Sequence, residues 1–393
     1  MRYLLTVVVA VVVLHAGLAW AHTIYIKPDG TGDAATIQAG IDQATSGDTL
    51  LLASGTFQGA GNYNIVYPNK TLLIKSETGN AADCIIDCEG TPGGFDRYAI
   101  SIQGGHLVLD GVTIQNANNS AVHTYNAPPG GTGLYLTVRN CVFFSNSANN
   151  GGAVYCDDFY GEDVIITNSK FISNEAYDGA AIWIYGVYLD VTIDGCTFSD
   201  NHALGGGGGG GAICCYAHEA RAFIRRSVFT HNSADYGVGA ISVVNMYAEI
   251  SRCTFFANSG PEASAIGTGY VGAGVDHCIM AYGTGGEGFH FTDDEYFEPS
   301  IGCTDIYGNE GGDWVGRIAG KLGQGGNFSA CPAFCNFEVE PYDLSLCSAS
   351  PCLPGNHPQG YNCGLIGALG QGCICGPTET QPSTWGAIKA MYR

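Results

Sequence analysis

Residues 143–154 read Phe-Phe-Ser-Asn-Ser-Ala-Asn-Asn-Gly-Gly-Ala-Val, and the phrase inside them, Phe-x-x-Asn followed by a Gly/Ala step, returns down the chain. It recurs at Phe171/Asn174 with Ala181-Ile182, at Phe198/Asn201 with Ala212-Ile213, at Phe229/Asn232 with Ala240-Ile241 and at Phe255/Asn258 with Ala265-Ile266. The spacings between copies are 28, 27, 31 and 26 residues. A period in this range marks a solenoid, in which each unit buries its apolar side only by stacking on its neighbours.

Aligning the copies by their Phe shows what stacks. Five residues before it stand Val138, Ile166, Ile193, Ile224 and Ile250, and seven before it Leu136, Val164, Val191, Ala222 and Ala248. That period of two is an inward-facing strand. Cys141, Ser169, Cys196, Ser227 and Cys253 share the inward parity two residues before each Phe, and Val154, Ile182, Ile213, Ile241 and Ile266 make a further stack. Each letter of the phrase has a physical task. Phe143, Phe171, Phe198, Phe229 and Phe255 supply buried area; Asn146, Asn174, Asn201, Asn232 and Asn258 tolerate a left-handed turn and can form an amide ladder. Gly accepts positive φ at the corner. Val112 to Val122 reads as a degenerate copy with Thr113 in the Phe place and Asn116 in the Asn place. The glycine run Gly205–Gly211 lengthens one corner, and no Lys-Ser/Thr follows it to make a phosphate cradle.

Composition narrows the partners. A net charge of -21 argues against nucleic acid or an anionic membrane surface. Arg2, the apolar run Leu4–Leu14 and Ala19-Trp20-Ala21 read as a secretory leader cleaved after Ala21, and no later stretch is long and apolar enough to span a membrane. Seventeen Cys in a chain so addressed imply disulfides, with the odd count leaving at least one thiol unpaired. The expected product is secreted or displayed at the cell surface.

In chain order, residues 1–21 are the leader and 22–57 an N-terminal cap with the first strands. Thr23–Ile26 is extended, Ala34–Ala44 carries Ile37 and Ile41 at helical spacing, and Asp48–Phe57 is extended again. The residues Pro28-Asp29-Gly30, Thr36–Ile41, Gly47–Leu50 and Gly55-Thr56-Phe57 resemble the entry to secreted right-handed parallel β-helix proteins of the pectin-lyase-like class. The resemblance implies an all-β, single-stranded right-handed parallel β-helix whose amphipathic helix lids the first coil. Coils are expected over 58–302, with regular repeats over about 106–277, then a Cys-rich C-terminal end over 303–375 and a linker and short tail over 376–393. Gly151-Gly152-Ala153-Val154 and Gly211-Ala212-Ile213, alternating with Phe-x-x-Asn, also resemble the repeat of the chlamydial polymorphic outer membrane proteins, which implies surface display and adhesion. The residues after His277 lack the alternating strands of a membrane barrel, so autotransport is not expected. Leu344–Cys347, Ser350-Pro351-Cys352 and Gly364–Ala368 resemble a last coil with added cysteines, read here as staples on an open edge.

Candidates for chemistry are few. Cys373-x-Cys375 and Cys331-x3-Cys335 have zinc-like spacing, but export favours disulfides; in the core column only Cys253 and Cys278, on adjacent coils, are close enough to pair. Asp157-Asp158 with Glu162-Asp163, and Asp293-Asp294-Glu295 with Glu298, are acidic clusters placed in loops, where calcium is the one cofactor they suggest. The polygalacturonase motif set is missing, and Val275-Asp276-His277 is a faint echo of a pectate-lyase pattern. One column is less bland. Just before each Phe or its equivalent stand Asp194, Arg225, Arg226, Arg252, Asp276 and His277. Stacked, the arginines form a basic stripe for an acidic glycan, or else a surface ladder of opposite charges with Asp194 against Arg225. The favoured function is non-catalytic adhesion or contact with polysaccharide or another surface component. The rivals are a pectate-lyase-like polysaccharide lyase and a passive structural rod.

Overall fold

The structure, a computed structural model, describes residues 21–91, 94–124, 134–158, 163–205, 209–292 and 298–375. The leader reading, the C-terminal tail and Asp293-Asp294-Glu295 lie outside these residues. The chain winds as a parallel β-solenoid with three long sheets of 11, 12 and 10 strands. The first sheet begins with Thr23–Ile26 and Thr49–Leu52 and ends with Ser300–Gly302; within it Val138 pairs with Ile166, Ile166 with Ile193, Ile193 with Ile224 and Ile224 with Ile250. These residues and their partners two positions earlier are buried, as the alternation predicts. Coils at strand spacing of about 4.8 Å give a rod of roughly 50 Å.

The phenylalanines stack through the third sheet with centroids 4.9, 4.8, 4.7 and 4.8 Å apart and planes within 10°. Beside them runs the asparagine ladder. Asn174 Nδ2 donates to Asn201 Oδ1 (2.9 Å) and Asn201 Nδ2 to Asn232 Oδ1 (2.8 Å), while each amide also donates to a main-chain carbonyl of the coil before, Phe143 and Phe171 respectively. The turn itself is made elsewhere. The left-handed residue is the one before each Asn, at Ser145, Ser173, Asp200, His231 and Ala257 with φ of 51° to 56°, so the side chain that tolerates such turns is spent on bonding instead. The degenerate copy is also shifted by one: Ile114 pairs with Phe143, and Ala117, whose N–H donates to Asn146 Oδ1, holds the Asn place. Gly151 (φ 57°) and Gly179 (φ 56°) do provide the positive-φ corner before the Ala step.

The two ends differ from one another. At the N-terminus the helix Ile37–Gln43, capped by Thr36, buries Ile37, Gly40 and Ile41 over the first coil, and a Cβ at Gly40 would strike Ile26 Cδ1 at 2.5 Å. At the far end Trp314 and Ile318 join the main core as a plug. The Cys-rich segment is not a last coil. Phe334–Asn336, Asp343–Cys347 and Gln371–Cys373 form a small mixed sheet, which folds back along the flank of the third sheet and shares a second core with Phe256, Ile279 and Ala281. The outward Phe256, one place after the Phe ladder, is the apolar residue that makes this flank worth covering. Disulfides join Cys303–Cys363, Cys335–Cys373 and Cys347–Cys375, which uses up the Cys373-x-Cys375 spacing. The other eleven cysteines take no part in these disulfides. Cys253 and Cys278 do not pair; within the coils cysteine is a small core residue.

Candidate functional site

The charged residues before each Phe fall on neighbouring rungs and corners. Asp194, Arg225, Ser251 and Asp276 occupy consecutive rungs of the first sheet. The residue after each turns the corner, and Gly195, Arg226, Arg252 and His277 are all left-handed, φ 48° to 65°. The charges are mostly matched. The Arg226 guanidinium forks onto both carboxylate oxygens of Asp194, displacing the Asp194–Arg225 pairing, because the corner turns Arg226 back over the preceding rung. Arg225 donates instead to Glu249 at 2.6 Å and stands over the Phe223 ring. His277 Nδ1 lies within hydrogen-bond distance of Asp276 (2.6 Å) and Nε2 meets the Cys363 carbonyl, which ties this corner to the folded-back segment. Arg252 is exposed; the rung before it offers Arg225 where Arg226 found Asp194.

The first acidic cluster departs from its loop assignment, with Glu162 outside the described residues, whereas Glu298 of the second does lie in a loop. Asp157 and Asp163 belong to the strands Val154–Asp158 and Asp163–Thr167, and Glu298 pairs with Arg317 at 3.2 Å.

A second surface emerges from the residues just after each Ala-Ile step. They continue as strands of the second sheet, so alternate side chains point out of the solenoid. The outward rows read His123, Tyr155, Trp183, Cys214 and Ser242, and beside them Asp157, Tyr185, Tyr216, Val244 and Gly269. Tyr155 and Trp183 stack at 4.9 Å and 6°, Trp183 and Tyr185 at 5.7 Å and 15°, and Tyr185 and Tyr216 at 5.7 Å and 15°. Tyr155 and Trp183, and likewise Tyr185 and Tyr216, lie on successive rungs and turn their faces toward one another, while Trp183 and Tyr185 sit side by side on one strand. The Tyr155 hydroxyl donates to Asp157 at 3.3 Å.

At Tyr216 the stack ends. The next rungs carry Val244 and Gly269, and the strand Ile241–Val244 has 4 residues where Ile213–His218 has 6. The face of Tyr216 turned away from Tyr185 therefore stands over a shelf, with His218 edge-on against the ring at 5.8 Å. A Cβ at Gly269 would lie 2.8 Å from Thr292 Oγ1, so a larger residue there requires Thr292 to shift. The corner beside the shelf is lined by Tyr188, Glu219, Asn245 and Tyr270, every one left-handed. Asn accepts that conformation readily, whereas each Tyr pays of order 1 kcal/mol. Tyr188 and Tyr270 are nonetheless 60% exposed and Tyr216 36%. Behind the stack, burial pushes the Cys214 thiol up to about 12, raises the Asp178 carboxyl and lowers His123 to about 4. Burial disfavours the charged form of each, and no nucleophile is activated among them.

The profile of the family described as "Right handed beta helix region" matches residues 73–255 and 130–311. The chain belongs to that family. Among solved structures it is similar to the pectate lyase Pel9A, at 12% identity over 91% of this chain and 98% of that one with a TM-score of 0.43, and to pectin methylesterase from carrot, at 13% identity over 79% and 88% with a TM-score of 0.33. No curated protein matches. Likeness at this level says nothing of activity, and the fold rests on the strand registers given above.

Proposed function

We propose that this β-helix protein is an exported, non-catalytic contact protein whose aromatic step binds the glycan of a surface or matrix. The observation that carries the reading is the outward stack Tyr155–Trp183–Tyr185–Tyr216 ending over a shelf. Tyr and Trp combine rigid apolar area with a polar tip, which suits a partner made of ring carbons and hydroxyls. Export is supported by the three C-terminal disulfides and the leader-like first residues. Against the lyase alternative stand the charge pairs. A base needs a nitrogen free to reach substrate, yet Arg225 and Arg226 are each held by a carboxylate and both ring nitrogens of His277 are engaged, Nδ1 by Asp276 and Nε2 by the Cys363 carbonyl.

The deciding experiment is isothermal titration of the full chain with a panel of soluble polysaccharides, repeated with Trp183→Ala. Binding that weakens in the variant supports the reading; unchanged binding overturns it. The same samples, followed for the ultraviolet absorbance of unsaturated uronates with and without calcium, test the lyase alternative. No absorbance change is expected, and uronate binding unaltered in an Arg225→Ala/Arg252→Ala double variant would dispose of the stripe as a glycan site.

A further inference from the structure

We infer that the aromatic step selects uncharged glycan chains over uronate chains; the inference rests on the reading of that step as a glycan-contact site. The argument is one of local charge. The strands that build the face, with the turns leaving them, span Val154–Asp158, Ile182–Tyr188, Ile213–Ala220 and Ile241–Met246, and they contain no Lys or Arg. The first cation met beyond them, Arg221, is forked onto Asp190, with its Nε and Nη2 donating at 3.1 and 2.7 Å. Two carboxylates are not matched in the same way: Glu219 stands exposed on the corner, and Asp163 is exposed one rung before Asp190. Neither Glu219 nor Asp163 has an ion pair among the described residues.

A uronate polymer laid on the shelf would bring one carboxylate per sugar to a rim that carries Glu219 on its corner and no unmatched cation among the described residues, where like charges repel over a Debye length of about 8 Å at physiological ionic strength. Like charges so placed disfavour binding in every register of the chain along the face. An uncharged polymer meets no such opposition. Its hydroxyls find an acceptor in Glu219, and one sugar ring can lie against the face of Tyr216 turned away from Tyr185, above Val244 and Gly269. The matched Arg225 and Arg226 lie at the other end of their strand and corner, too far along the first sheet to offset the acids of this rim.

The test uses the full chain and two soluble polymers of each kind, mannan and xyloglucan against polygalacturonate and alginate, by titration at low and at physiological ionic strength. The expected result is saturable binding of at least one neutral polymer, insensitive to salt, with no measurable uronate binding. Tyr216→Ala should weaken neutral binding by up to about tenfold, the scale of one aromatic stacking contact; Tyr216 is exposed enough for the variant to fold. Glu219→Gln/Asp163→Asn should leave neutral binding unchanged and make polygalacturonate binding measurable at low salt, and no such gain would overturn charge as the cause. Polygalacturonate binding as tightly as the neutral polymers, and weakened by Tyr216→Ala, overturns the selectivity while leaving the glycan-contact reading intact. Absence of all polymer binding, or binding indifferent to both Tyr216→Ala and Trp183→Ala, overturns the contact reading and this inference with it.

Discussion

Asn201 makes four ladder bonds: its Oδ1 accepts from Asn174 N–H and Asn174 Nδ2, and its Nδ2 donates to Phe171 O and Asn232 Oδ1. All of these groups lie away from water, so Asn201→Ala strands several at once. A loss of about 2–4 kcal/mol is expected from more than one unsatisfied buried group, read as a lowered urea midpoint. Arg252 makes the opposite case. It holds φ 53° with an exposed side chain, so Arg252→Gly should raise stability by about 0.5–1 kcal/mol by relieving the left-handed backbone. Arg226→Gly relieves the same strain but loses the Asp194 fork, and should gain less. A pH effect also belongs to one residue. Burial lowers the His123 imidazole from 6.5 to about 4, so the unfolded chain takes up the proton first. The stability it contributes is fully present above pH 6.5 and is lost as pH falls toward 4, by about 3 kcal/mol at most. Thermal melts from pH 7 to 4 should therefore flatten in a His123→Asn variant.

At the scale of elements, the folded-back C-terminal segment is the least sequence-predictable part and the most dependent on cross-links. Cys303–Cys363 closes a separation of 60 residues, for which loop entropy gives about 4 kcal/mol. Cys303→Ser/Cys363→Ser should expose the segment to protease while the coils resist, seen as a shortened core fragment on limited proteolysis. Its junction with the solenoid buries Asp305, which accepts from Ala330 N–H (3.0 Å) and from the Cys352 thiol (3.4 Å). Burial raises the Asp305 carboxyl well above the usual range, so the folded state keeps a proton that the unfolded state sheds as pH rises. Asp305→Asn retains an acceptor for Ala330 and should stabilise the protein more at pH 8 than at pH 5, the reverse trend from His123.

The whole molecule behaves as a stack of nearly equivalent layers, each touching its neighbours. Lys170 and Thr197 are register partners, so deleting Lys170–Cys196 joins Ser169 to Thr197 with every column continued. The shortened chain should fold with unchanged strand content by circular dichroism, and should be about 4.8 Å shorter, one strand spacing, by small-angle scattering. Having lost Trp183 and Tyr185, it should also lose glycan binding. Failure to fold would show that the coils are not interchangeable layers.

Across these scales, what the sequence by itself determined was the periodic part. Phe143, Phe171, Phe198, Phe229 and Phe255, the Ile/Val columns and the Asn column share one period because each position meets its own copy one rung away, and burial allows little else there. The charged column was legible as a column, but its pairing was not. Whether Asp194 meets Arg225 or Arg226 depends on which way a left-handed corner turns, and that geometry has no signature in residue type. Tertiary structure alone decided that the residues after each Ala-Ile step stay extended and face outward, which makes Tyr155, Trp183, Tyr185 and Tyr216 a surface. It alone laid the Cys-rich segment along the flank over Phe256 instead of across the last coil. Both outcomes turn on contacts between segments far apart in the chain, where no period repeats and only the packed solenoid says which side of a strand is the outside.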